Sequence, residues 1–286
     1  MTSLALWLMR VLHWLPLPPL RALGAALGTR LWLFARERRR VAHTNLSLCF
    51  PEMVKAQRSA LVRATFRSFS SSVIDRAILR HSPPARIRAL VHLTGEAHLE
   101  RLAGRPLILL APHFAGLDAA WARLTLERRL ASIYARQKNT AFNAALKAGR
   151  SRFNDPLLLS RQDGMRTILR ELSNGLPLYT LPDMDLGARD AVFAPFFGVP
   201  AATITAVSRL ARLAGAAVLP VVTRMTPHGY EVTIHPPWEG FPGASDEDDV
   251  RRMNAFIENE VRANLAQYHW LHKRFKSRPP GQAPVY

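Results

Sequence analysis

One cysteine, Cys49, stands in 286 residues, so no intramolecular disulfide can form, and the lack of any CxxC pair or Cys/His cluster removes a structural zinc site. A reducing compartment suits such a chain. Acid is scarce too: 21 Asp and Glu face 39 Lys and Arg, a formal net charge of +18. That excess speaks of an anionic partner rather than of a fold. A long hydrophobic run is missing. Residues 2–9 are apolar, but Arg10, the Pro16-Leu17-Pro18-Pro19 stretch and Arg21 interrupt the segment well short of the ~20 residues that span a bilayer. There is no G-x-S-x-G elbow, which excludes the usual serine nucleophile of α/β hydrolases, and there is neither an internal repeat nor a low-complexity tract.

What is present is enough apolar surface for a core: 48% hydrophobic residues, 8% aromatic. The first 40 residues carry seven arginines (10, 21, 30, 36, 38, 39 and 40) against one acid, Glu37, set among Leu, Ala, Phe and Trp. A secretory signal places its charge ahead of the apolar stretch; here the charge follows it. The segment reads as one or two short amphipathic helices in the headgroup region of a membrane, with Trp7, Trp14 and Trp32 at the interface. The chain is thus expected to divide into a membrane-associating segment, 1–40, and a main domain, 41–286.

Helical spacing predicts helices over 38–51 and 53–79, ended by Pro51 and by Ser82-Pro83-Pro84. Strand signals follow at 91–93, 107–111, 131–134, 156–159, 176–181, 217–223 and 230–234. Between them fall helices through Leu99 and over 117–130, 140–149, 164–173 and 203–213. Ser245, followed by Asp-Glu-Asp, caps a last long helix, and the basic stretch 273–278 reads as exposed. This alternation predicts an α/β fold with a mostly parallel central sheet flanked by helices, behind an N-terminal membrane-associated helical segment.

His113 leaves the buried strand at 107–111, and Asp118 lies five residues on, in the first turn of the next helix. In open α/β sheets the reactive crevice lies beyond the carboxyl ends of the strands. A carboxylate in that helical turn can fold back to accept the imidazole Nδ1 proton, which frees Nε2 to act as a base. The spacing alone is weak, since a lone histidine at such a place is often structural. Asp183 and Asp185 close the strand at 176–181 and face the same crevice edge; they orient substrate hydroxyls, hold an arginine or cap the turn.

The chain resembles the lipid A biosynthesis late acyltransferases, the lauroyl and myristoyl transferases within the glycerolipid acyltransferase superfamily. The blocks that carry the likeness are RRRVAHTNLSLCFPE at 38–52, HFAGLD at 113–118, YARQKN at 134–139, GRSRFN at 149–154, PDMDLG at 182–187, VFAPFFGVPAATIT at 192–205 and YHWLHKRFKSRPPG at 268–281. The resemblance implies that His113 is the general base and Asp118 its partner, with Asp where many relatives have Glu. It implies that Arg136, Arg152 and Arg161, with Asn154, bind phosphate groups of the acceptor or of the carrier's phosphopantetheine, through the bidentate fork of guanidinium. Asp183 and Asp185 join this substrate-binding set. The backbone N–H groups of Phe197 and Gly198 are the oxyanion candidates, and Phe197 reads equally as core or as an acyl-pocket wall. His272 reads as structural. No metal or organic cofactor is implied. The implied partners are acyl carrier protein as acyl donor, a phosphorylated glycolipid acceptor and the cytoplasmic face of the inner membrane. Transfer is direct, because no activated Ser or Cys is at hand.

Two other readings match part of the pattern. A lysophospholipid or amino-lipid acyltransferase shares the H-x4-D pair, but usually carries an F-P-E-G type block where this chain has APFFGVP. A nucleic-acid-binding module would match the charge alone; the aromatics sit in apolar runs and the arginines cluster beside the membrane-like segment, so no nucleic-acid partner is expected.

Overall fold

The computed structural model describes residues 2–136, 139–160 and 165–286. Four helices come first: α1 (Thr2–Leu12), α2 (Leu17–Phe34), α3 (Arg36–Cys49) and α4 (Lys55–His81). Ser82 ends α4 in an extended conformation, as a residue before proline must, and Pro84 then opens α5 (Pro84–Leu90). The alternating part comprises β1 (Val91–Thr94), α6 (Glu96–Glu100), β2 (Leu107–Leu110), α7 (Leu117–Glu127), β3 (Ala131–Tyr134), α8 (Thr140–Arg150), β4 (Leu157–Ser160), α9 (Met165–Ser173) and β5 (Leu178–Thr180). It continues through β6 (Ala191–Phe196), β7 (Val199–Ile204), α10 (Ala206–Ala214), β8 (Ala217–Thr226), β9 (Gly229–Ile234) and α11 (Asp246–Ala263).

Seven strands form one sheet in the order β1-β9-β8-β2-β5-β3-β4, and every neighbouring pair is parallel except β8 with β9. The all-apolar Leu107-Ile-Leu-Leu of β2 is buried at every position, as expected of a central parallel strand covered on both faces. The expected layer architecture is therefore present, and no described helix is long and apolar enough to cross a membrane. One expectation needs correcting at 203–213. Val199–Ile204 is the second strand of an antiparallel β6-β7 hairpin, and the helix begins only at Ala206. The β-branched residues Val199, Thr203 and Ile204 favour a strand over a helix.

The basic N-terminal segment is packed onto the rest. Gly24 and Gly28 of α2 let it approach α4 so closely that an added Cβ would lie 2.5 Å from Ser71 Cα and 2.5 Å from the Phe66 carbonyl oxygen, respectively. Arg21 of α2 donates to Asp75 of α4 at 2.9 Å and to the carbonyls of Thr226 and Gly229 at the β8-β9 turn. The opposite face is bare: Leu4, Trp7, Leu8, Val11, Trp14 and Phe34 are all exposed. Gly28→Ala is expected to push the two helices apart and cost about 2 kcal/mol, as overpacking typically does. In a chain of this size that is a fall in Tm of roughly 5 °C, readable by calorimetry. An unchanged Tm would mean that the helix contact is not rigid.

Candidate functional site

The adjacent parallel strands β2 and β5 are in register with Leu110 opposite Thr180, and the Ala111 amide donates to the Thr180 carbonyl at 2.9 Å. Each strand runs three residues further to an ionisable side chain, β2 to His113 and β5 to Asp183. The two emerge side by side. His113 Nδ1 lies 2.6 Å from Asp183 Oδ1, and the backbone amide of His113 donates to Asp183 Oδ2 at 2.9 Å. One carboxylate thus grips both the ring and the main chain of the histidine. Burial alone would raise the Asp183 pKa, but the contacts with His113 outweigh it and hold the carboxyl below its usual range, so Asp183 is ionised and Nδ1 carries the proton. Nε2 has no protein hydrogen bond among the described residues.

This pairing corrects the one expected from spacing. Asp118 does not bond the imidazole; its Oδ2 lies 2.6 Å from Arg76 Nε and its Oδ1 2.9 Å from Arg150 Nη2. Burial would raise its pKa, yet those two guanidiniums hold it well below the carboxylate range. The physical reason is placement. The turn after β2 carries Asp118 into α7, toward α4 and α8, whereas the strand next to His113 is β5.

The histidine loop is closed by a distant piece of chain. The Ala115 amide donates to the Gln267 carbonyl at 2.8 Å and the His269 amide to the His113 carbonyl at 3.0 Å, while Phe114 forms a bridge with Tyr268. His269 lies between the rings of His113, 6.2 Å away, and Phe69 of α4, 5.0 Å away. His113, Phe69, Arg76, Arg150 and His269 line one cavity of about 1040 Å³. Its remaining wall is largely apolar, from Ile133, Phe142, Leu146, Ile168, Leu169 and Leu210 among others. Phe142, Met165, Leu186 and Leu213 of that wall are also exposed.

The other expected site residues that the structure describes do not line this cavity. Arg152 donates to the carbonyls of Leu79 and Ser82 and covers the Phe153 ring, closing the end of α4. Asn154, at a positive φ of 50°, donates to the Thr125 carbonyl at 2.9 Å. Both are turn anchors and neither lines the cavity. Arg136 is exposed just beyond β3, and Arg161 lies outside the described residues. Asp185 is buried and accepts from Gly187, at 2.9 Å, and from the amide and hydroxyl of Ser277, so it ties down the C-terminal stretch. The Phe197 amide is taken by Glu258 at 2.7 Å, and its ring packs on Phe50 and Trp270 at the β6-β7 turn. Neither it nor Gly198 reaches the cavity, which removes both as oxyanion donors. The stretch 273–278 is likewise not the exposed tail that composition suggests. Arg274 is buried, donating to the Ala202 carbonyl at 2.8 Å and the Thr203 hydroxyl at 2.6 Å. Sequence reading missed Arg76, Arg150 and His269, whose importance depends on elements far apart in the chain.

His272 is structural, as expected, accepting from the Asp185 amide at 3.0 Å. Burial, reinforced by His113, pushes the imidazoles down to about 3 for His269 and about 4 for His272. Unfolded histidine titrates near pH 6.5. Below that value the unfolded chain binds protons that the folded one refuses, so this stability is complete above about pH 6.5 and is lost as pH falls toward 4. Tm is expected to drop between pH 7 and pH 4.5, and His269→Gln should make the decline shallower. A variant as steep as the parent would contradict the assignment.

The sequence profile described as "Bacterial lipid A biosynthesis acyltransferase" matches residues 1–277. The chain is 31% identical over 278 residues to the lipid A biosynthesis palmitoleoyltransferase of Escherichia coli K12, covering 95% of this chain and 90% of that one. It is 31% identical over 277 residues to the lauroyltransferase of the same organism, with 95% and 90% covered. To the myristoyltransferase it is 30% identical over 267 residues, with 92% and 82% covered. The crystal structure of the 1-acyl-sn-glycerophosphate acyltransferase PlsC from Thermotoga maritima superposes with a TM-score of 0.43 at 16% identity, covering 87% of this chain and 99% of that one. The chain belongs to the bacterial lipid A biosynthesis acyltransferase family and is an acyltransferase.

Proposed function

We propose that this enzyme moves a fatty acyl group from the thioester of acyl carrier protein to a hydroxyl of a phosphorylated lipid A precursor, at the cytoplasmic face of the inner membrane. The observation that carries the reading is the imidazole of His113, fixed by buried Asp183 on the wall of a large, mainly apolar cavity. With Nδ1 protonated, Nε2 takes the proton of the acceptor hydroxyl as that oxygen attacks the thioester carbonyl. The tetrahedral intermediate collapses, the C–S bond breaks, and the imidazolium returns the proton to the departing thiolate. Asp183 stabilises the imidazolium while it lasts. The acyl chain lies along the apolar wall formed by β3, α8, α9 and α10.

Direct transfer fits the residues at hand. Cys49 is buried, and burial pushes its thiol well above the usual range, which makes it a poor nucleophile. The exposed apolar side chains of α1 and α2, with Arg10 and Arg30 beside them, suit adsorption onto an anionic bilayer without a span. Residues 1–40 act in this reading as the membrane-associating segment and 41–286 as the acyltransferase domain.

The test is to give the purified protein acyl carrier protein bearing a labelled acyl chain, with vesicles that hold a phosphorylated lipid A precursor or, separately, a lysophospholipid. A mass gain of one acyl group on the glycolipid alone is expected. Acylation of the lysophospholipid alone would sink this reading in favour of the phospholipid one.

A further inference from the structure

Asp118 is surrounded by more positive charge than it can balance. Arg76 and Arg150 both pair with it, and Arg80 lies alongside, close enough to α8 that a Cβ on Gly149 would come within 2.8 Å of its Nε. Burial, and then repulsion from Arg76, lowers the Arg80 pKa despite the nearby Asp118. Among the described residues Asp118 is the one carboxylate ion-paired to this trio. The guanidiniums are also not fully spent. Asp118 accepts a hydrogen bond from Nη2 of Arg150 and meets Nε of Arg76 as an ion pair, while the buried Nε atoms of both arginines lack a well-aligned hydrogen-bond partner. A buried donor without a partner costs stability, and a half-compensated cation cluster costs more.

Position says what would complete it. Arg76, from α4, and Arg150, from the end of α8, line the same cavity as His113. An anion entering there meets two planar forks whose orientation Asp118 already fixes, and such forks match the oxygens of a tetrahedral phosphate. We propose that Arg76 and Arg150, held by Asp118 and backed by Arg80, form a phosphate-binding site in the reaction cavity, with Asp118 a positioning residue for the arginines rather than the partner of the imidazole. This rests on the acyl-transfer reading, in which thioester and hydroxyl are neutral and phosphate is the anionic group that a substrate brings close to the reacting atoms. The phosphate has two sources of the same chemistry: a phosphate ester on the glycolipid, or the phosphodiester of the carrier's pantetheine arm.

The experiment compares kcat/KM of the parent, Arg150→Met, Arg150→Lys and Asp118→Asn on the glycolipid with and without its phosphates, and on acyl-phosphopantetheine and acyl-pantetheine donors. With the phosphate present, Arg150→Met should lose roughly 10- to 100-fold, the worth of one or two charge-assisted hydrogen bonds, mainly through KM. Arg150→Lys should recover part of it, and Asp118→Asn should show the same pattern at smaller size. Removing the phosphate from the substrate that uses the site should bring parent and variants to a common lower value. The substrate on which they converge identifies the source. An equal loss by Arg150→Met and Asp118→Asn on every substrate would overturn the proposal. A second measurement separates it from the reaction: inorganic pyrophosphate should raise the Tm of the parent but not of Arg150→Met. No shift in the parent, or an equal shift in both proteins, overturns the site even if transfer is robust. A parent that binds pyrophosphate but acylates no glycolipid would instead remove the acyl-transfer reading.

Discussion

Asp183→Asn is expected to reduce transfer by about 10³-fold while leaving the fold largely intact, a little less than the roughly 10⁴-fold fall in kcat that the same change causes at the aspartate of the Ser-His-Asp proteases. The backbone amide of His113 donates to one carboxylate oxygen and the ring Nδ1 to the other. An asparagine at 183 must turn its single oxygen to the amide, because that donor cannot change role. Its NH2 group then faces Nδ1, which can accept only when unprotonated, and the proton moves to Nε2. The histidine would be held in place in the wrong tautomer, unable to take a proton from an alcohol. Steady-state transfer assays beside circular dichroism check it. Activity within fivefold of the parent would show that the carboxylate does not set the tautomer.

His113→Ala should be at least as severe. General-base catalysis contributes about 10² to 10⁴, and with no activated cysteine or serine to substitute, the loss should approach the upper end. Vesicle binding should be unchanged, because His113 is remote in sequence from the exposed apolar residues of α1 and α2. Transfer at the parental rate would end the general-base assignment. A variant that also failed to bind vesicles would instead point to a folding defect.

Most of the layer architecture is legible in the residues. The buried run of β2, the proline break after α4 and the cap at Ser245, whose hydroxyl accepts from the Asp248 amide at 3.1 Å, each depend on near neighbours in the chain. His113 is legible for the same reason, standing just past a strand that cannot be anything but central. Its partner is not. Asp118 is close in sequence, whereas Asp183 becomes adjacent only because β5 pairs with β2, and strand order is invisible to local pattern. The same limit explains the misread arginines. Arg152 looks like a phosphate ligand by type, but the end of α4 requires its donors; Arg76 looks like an ordinary helix-surface charge until α7 brings Asp118 against it. For 273–278, composition counted charges, and the buried Arg274 and Phe275 escaped notice because their acceptors and neighbours sit on a hairpin some 70 residues earlier.

The strap from Gln267 to Ser277 has a temporal side. It holds the loop of His113 through Ala115, Phe114 and His269, and reaches back to Asp185 through Ser277. These residues leave the ribosome after every strand of the sheet. A nascent chain can therefore lay down every strand of the sheet, and seat His113 on Asp183, while the loop that carries the imidazole still waits for the strap to dock.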